Sequence, residues 1–289
     1  MALYAFDGTW NENQPDDRLD TNVRKLFDAY EGPLKFYVEG PGTRRGWLGK
    51  WIGGAMGAGA RERVQEGLAA LARHMEQGDD VVDAIGFSRG AAIALDFANR
   101  AAALKVGGRA PRLRLLGLWD TVGSFGLPGN LVDWGWKLKL PAAVERCCHA
   151  MALDERRRMF PVTRQAPRFP EAEQAGRLHE VWFRGVHSDV GGGNGNVGLS
   201  ALALGWMVAH ARAVQVPVGA AIQAHTAPAH PDAPIRPERD PYKNRYRTVR
   251  REDRVHLSVR HRPGHANPPP GTAVVTDDGS VVPGGFPAP

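Results

Sequence analysis

The chain has almost no cysteine: two in 289 residues, Cys147 and Cys148, side by side. Adjacent Cα atoms lie about 3.8 Å apart, short of the roughly 4.4 Å at which unstrained disulfides begin. A disulfide framework is therefore not expected, two thiols make no zinc site, and free thiols in a reducing compartment are predicted. No other ligand cluster calls for a metal, and no cofactor is expected. Long hydrophobic runs are absent too. None reaches the roughly 18 residues that a membrane-spanning helix needs. The first residues, Met1-Ala2-Leu3-Tyr4-Ala5-Phe6-Asp7, carry no basic region and no cleavage site, so no signal peptide is read there. The expectation is cytoplasmic residence as made, or export by a machine that uses no such signal. Internal repeats are missing. Net charge is missing as well, except in one place. Residues 236–262 hold ten Lys/Arg against four acids, an excess of six that equals the +6 of the whole chain.

What is present is a soluble globular composition, 43% hydrophobic and 24% charged, long enough for one large core or a core with an appendage. The chain is organised around Asp83-Ala84-Ile85-Gly86-Phe87-Ser88-Arg89-Gly90-Ala91. A short apolar strand runs into a glycine-flanked turn and then an Ala-rich helix. Serine between two glycines at such a turn is the pattern of a nucleophile elbow. The bare pattern recurs easily in a chain with 35 glycines. The flanking strand and helix make it specific, against the alternative of an ordinary strand-turn-helix crossover.

In chain order, residues 3–6 read as a strand, 21–27 as the start of a helix capped by Thr21 or Asn22, and 34–38 as a second strand. Residues 46–59 are Gly-rich and apolar, with Trp47, Leu48, Trp51 and Ile52. Two readings stand for them: a packed loop beside the site, or an apolar wall or lid that contacts lipid. Residues 60–76 carry apolar side chains at helical spacing. After the elbow come a strand at 113–119, a helical pattern over 142–159, a strand at 177–183 and an apolar helix at 200–214. This alternation predicts an α/β fold, a mostly parallel sheet with helices on both faces. From Pro217 prolines multiply and apolar periodicity fades. A catalytic domain over 1–225 and a basic, Pro-rich C-terminal arm over 226–289, packed on the core, are expected, with one hairpin at 272–282.

Three polar residues end predicted strands, in the order Ser88, Asp120, His187. That is the chain order of α/β-hydrolases. A serine hydroxyl needs an adjacent base; His187 would take its proton, and Asp120 would hold the imidazole tautomer. The oxyanion donors would be the N–H of Arg89 and that of Gly8 or Thr9. Asp189, two residues from His187, competes for the acid's role but reads better as orienting the loop. Asp7 would brace the oxyanion turn. His149 is placed on the surface of the predicted helix at 142–159.

Four ordered blocks, Phe6-Asp7-Gly8-Thr9-Trp10-Asn11, Gly86-Phe87-Ser88-Arg89-Gly90-Ala91, Leu118-Trp119-Asp120-Thr121-Val122-Gly123 and Gly185-Val186-His187-Ser188-Asp189-Val190-Gly191-Gly192-Gly193, resemble the uncharacterised α/β-hydrolase domain family that includes type VI secretion phospholipase effectors. Residues 52–55 and 152–157 look like weaker family blocks, and the resemblance spans about residues 3–210. It implies an ester hydrolase acting on phospholipid acyl esters, with Ser88 as nucleophile, Asp120 as acid and His187 as base, and an antibacterial effector role with a secretion-machinery or immunity partner. Two alternatives stay open: a carboxylesterase or thioesterase on small soluble substrates, and a binding or accessory module without turnover. The arm at 236–262 would favour anionic lipid headgroups or be simply a solvated arm. Nucleic acid is not expected, because Tyr242 and Tyr246 among the basic residues make no recognised module.

Overall fold

The structure, a computed structural model, describes residues 1–8, 19–39, 55–124, 135–158, 160–235, 247–262 and 266–287, with only the backbone at 55–58. β1 (Ala2–Phe6) is apolar and buried along its whole length. Its alternation sends Ala2, Tyr4 and Phe6 into one core and Leu3 and Ala5 into another. A strand covered on both faces reads in this way as an unbroken apolar run. α1 (Asn22–Asp28) follows, capped by Thr21, whose Oγ1 accepts the Arg24 N–H at 3.1 Å. Then come β2 (Leu34–Val38) and α2 (Ala55–Glu76). Val64, Leu71 and Met75 of α2 are fully buried in the first core with Phe6 and Phe97. Burying each such side chain contributes about 1.5–3 kcal/mol.

β3 (Val81–Phe87) leads through Ser88 into α3 (Arg89–Ala101), and β4 (Arg112–Trp119) ends at Asp120. The remaining elements are β5 (Val144–Ala152), α4 (Pro170–Gln174), β6 (Leu178–Phe183), α5 (His187–Gly191), α6 (Val197–Ala213), α7 (Gln223–Thr226), β7 (Arg254–His256), β8 (Ala273–Val275) and β9 (Val281–Val282). Among the described residues nine strands form one sheet in the order β2-β1-β3-β4-β5-β6-β7-β8-β9. Every pairing is parallel except the β8–β9 hairpin. α2 and α3 cover one face, α1 and α6 the other. This is an α/β-hydrolase-like arrangement, as the alternation of elements predicts. The expected C-terminal arm supplies β7, β8 and β9, which continue the same sheet beyond β6, with the hairpin at its edge.

The chain leaves β1 for β2 on one side and returns to β3 on the other. That reversal opens a crevice at the C-terminal ends of β1 and β3, where ligands bind in open parallel sheets. Register brings the site residues level with it. Phe6 pairs with Gly86 and Phe87 with Trp119, so Ser88 and Asp120 leave neighbouring strands at the same height, with Asp7 one residue below them.

One expectation fails. Residues 142–159 do not form a helix: Val144–Ala152 is a central strand between β4 and β6. Val144, Cys147, Cys148 and Met151 stand at helical spacing, but the run from Cys147 to Ala152 is buried on both faces of the sheet. Periodicity alone does not separate a short helix from a two-sided parallel strand. His149 accordingly lies fully buried, not on a surface. Cys147 and Cys148 point to opposite faces, one into each core, and both are free thiols. Among the described residues no helix is long and apolar enough to cross a membrane.

Candidate active site

Ser88 sits at the turn between β3 and α3 with φ 60° and ψ −124°. Such backbone is rare outside glycine, costs energy and gathers at functional sites. The neighbouring glycines make the turn feasible. A Cβ on Gly86 would lie 2.5 Å from Gly90 O, and one on Gly90 would lie 2.1 Å from Phe6 O. The elbow is thus pressed directly onto the end of β1. Two backbone bonds hold it: Ser88 N–H to Trp119 O at 2.9 Å, and Val122 N–H to Ser88 O at 3.1 Å. The Arg89 N–H, first in α3, belongs to the donors that a helix start leaves outside its own ladder.

Asp120, fully buried and at φ 40°, follows β4 directly. Its Oδ2 accepts from His187 Nδ1 at 2.6 Å, and its Oδ1 accepts the Ala152 N–H at 2.9 Å. The guanidinium of Arg247 spans both oxygens. Burial alone would raise the Asp120 carboxyl, but Arg247 and His187 together hold it well below the usual carboxylate range. His187 opens α5, four residues beyond β6. Its ring lies between Phe87, 4.6 Å away by centroids, and Phe160, 4.9 Å away. With Nδ1 donating to Asp120, Nε2 is left to act as acceptor. Among the described residues no hydrogen bond joins Ser88 Oγ to His187; in resting sites this bond is often long and closes around substrate.

The surrounding polar groups hold these three in place. Asp7 accepts from Gly8 N–H at 2.6 Å, Thr21 Oγ1 at 2.6 Å and Tyr37 OH at 2.8 Å. Asp189 accepts from Val186 N–H, Asn194 Nδ2 and Asn196 Nδ2, closing the loop around α5. The Gly8 N–H therefore faces Asp7, while Thr9, Trp47, Leu48, Trp51 and Ile52 lie outside the described residues.

Four residues were missed as contributors. Glu155, buried, accepts the His187 N–H at 3.1 Å and is itself gripped by Arg157. Neighbouring Asp154 accepts the Gly185 N–H at 2.8 Å. The weak family block at 152–157 was the available signal for both. His149 Nε2 accepts the Thr121 N–H at 3.1 Å, so its Nδ1 carries the proton that goes to Glu180 Oε1 at 2.8 Å. This pair fixes the backbone just after Asp120. Arg247 carried no local signal; it stood among ten cations of the arm. Of the arm's other described cations, Arg254 pairs with Glu173, and Arg260 and Arg262 donate to backbone oxygens of Gly285 and Ala233. Among the described residues no group of three or more His, Cys, Asp or Glu could hold a metal ion.

The profile of one protein family, described as T6SS, phospholipase effector Tle1-like, catalytic domain, matches residues 3–104 and 98–210. Among solved structures, an uncharacterised protein from Pseudomonas aeruginosa shares the fold at 21% identity and a TM-score of 0.60, over 78% of this chain and 48% of its own. The structure of a Tle1 effector bound to the VgrG spike of the type 6 secretion system matches at 22% identity and a TM-score of 0.47, over 66% and 50%. A putative hydrolase of the α/β superfamily from Xanthomonas campestris matches at 22% and 0.37, over 64% and 87%. The chain thus spans about half the length of the first two. No curated protein matches it.

Proposed function

Because the chain belongs to the family of T6SS Tle1-like phospholipase effector catalytic domains, we propose that it is a serine hydrolase of phospholipid acyl esters. The observation that carries this reading is the strained elbow: Ser88 at φ 60° between two glycines that admit no side chain, level with the Asp120–His187 hydrogen bond. In the proposed reaction Ser88 Oγ attacks the acyl carbonyl while His187 Nε2 takes its proton. The imidazolium, held by Asp120, then protonates the departing alcohol of the lysolipid. Water, deprotonated by the same imidazole, cleaves the acyl-enzyme and restores Ser88. The Arg89 N–H is one oxyanion donor. The second would come from the turn after β1, from Thr9 or from Gly8 once its N–H leaves Asp7.

The family description also supports delivery by the type VI secretion machinery, and an immunity partner is the corresponding proposal. Residues 1–225 would form the catalytic unit and 226–289 an arm, with an anionic membrane surface as its partner through 236–262.

The test compares wild type with Ser88→Ala on mixed phospholipid vesicles and on a short-chain ester, reading released fatty acid. The expected result is release from vesicles by wild type and a loss of roughly 10⁴-fold or more in the variant. Turnover of the short ester alone would make the protein a soluble esterase, and no turnover of either would remove the enzyme claim for these substrates.

A further inference from the structure

The basic arm places one of its cations inside the site. Arg247 is 8% exposed. Its Nη1 donates to Asp120 Oδ1 at 2.5 Å and its Nη2 to Asp120 Oδ2 at 3.0 Å. The same two nitrogens donate to Ala152 O and Phe160 O, each at 2.8 Å. Phe160 is one of the two rings packed on His187. A single side chain therefore sets the plane of the Asp120 carboxylate and anchors the backbone that carries a wall of the imidazole pocket. Only a planar fork of donors can do this; an ammonium is a point charge.

The fork also changes the electrostatics. A carboxylate facing only His187 would favour the imidazolium with its full charge. Here Asp120 Oδ2 is shared between His187 and a buried guanidinium. We propose that Arg247 is a positioning residue of the hydrolytic centre, which locks Asp120 against His187 and tempers the carboxylate so that the imidazole accepts the Ser88 proton down to lower pH. The proposal rests on the reading of Ser88, His187 and Asp120 as a triad. Among the described residues, the other charges facing this centre are Glu155 on the His187 N–H, Arg157 on Glu155 and over the Phe160 ring, and Asp189 two residues beyond His187. None is altered in the variants below.

The experiment uses the full chain and a fluorophosphonate probe, so that no lipid substrate need be known. In labelling, the Ser88 Oγ–P bond forms, the P–F bond breaks, fluoride leaves and the serine proton goes to His187. Labelling rate is measured against pH for wild type, Arg247→Gln, Arg247→Lys and Ser88→Ala, with a thermal melt of each. Arg247→Gln is expected to label about 10²-fold more slowly, with the acid limb of its profile moved up by about one pH unit. Arg247→Lys, with charge but no fork, is expected to keep the limb near wild type and lose about tenfold in rate. The melts are recorded across the same pH range, and labelling is compared only where each variant is fully folded, because stability itself falls below about pH 6.5. Arg247→Gln within twofold of wild type, or slowed with an unmoved limb, overturns the positioning role while leaving the triad standing. Unlabelled wild type, or labelled Ser88→Ala, overturns the triad reading itself.

Discussion

Cys147 and Cys148 show how one residue step decides chemistry. On a strand, neighbours face opposite ways, so the two thiols are separated by the sheet although they are joined in sequence. Burial pushes both thiols up, Cys148 to about 12 and Cys147 well above its ordinary value. Thiolate is the reactive form. The folded protein is therefore expected to resist maleimide at pH 7.5 and to take up two equivalents only in denaturant; labelling of the native protein would contradict the burial. Asp120 is the opposite case: a group with enough partners to stay charged while fully buried. Its four donors explain why an acid can end an apolar strand behind Trp119, since a buried carboxylate is tolerated only when paired and hydrogen-bonded.

At the scale of elements, the site depends on how closely β1 and α3 approach each other. Gly90 is the point of contact, with Phe6 O where a side chain would begin. Gly90→Ala is expected to destabilise by about 1–3 kcal/mol or more and to abolish hydrolysis by moving the elbow. Gly205 in α6 is the counterpart, with open space where its Cβ would stand. Gly205→Ala is expected to stabilise by up to about 1 kcal/mol, through helix propensity and the stiffer unfolded chain. Urea denaturation of the two variants checks both signs; equal effects would mean that the contact at Gly90 relaxes freely. The His187 loop is held likewise by elements rather than by its own sequence. Asp154 and Glu155, at the end of β5, receive the Gly185 and His187 N–H groups across the gap to β6.

For the whole molecule, two histidines pack where the C-terminal hairpin meets the rest of the sheet. The rings of His179 of β6 and His210 of α6 meet, tilted, at 4.6 Å beneath Gly279 of the β8–β9 turn, and Arg146 of β5 donates to His210 Nδ1. Burial, with the neighbouring positive charge, lowers His179 to about 4 and His210 to about 3. Both are thus neutral when folded, whereas an unfolded chain binds protons at each below about pH 6.5. Stability from this cluster is complete above pH 6.5 and is lost as pH falls toward 4, by roughly 3 kcal/mol or more. Paired carboxylates such as Asp120, depressed in the fold, give way only below about pH 4. Urea midpoints measured from pH 7.5 to 4 are expected to fall from near 6.5; a flat profile to 4.5 would show that the histidines are solvated.

Much of this was readable in the order of residues. Apolar runs ending in Asp7, Ser88 and Asp120 announce parallel strands whose polar ends share one edge, because alternation and turn chemistry are local. The hairpin at Asp278-Gly279 was readable for the same reason. β5 was not, since a strand buried on both faces loses the period of two that identifies it, and four of its residues imitate a helical stripe. Nor could the sequence say that His149 would brace the turn after Asp120, or that Glu155 would hold His187, because those contacts cross strands. Arg247 lies 127 residues from Asp120 in the chain. Only folding distinguished it from nine similar cations, because its role comes from the carboxylate it meets and not from its neighbours in sequence.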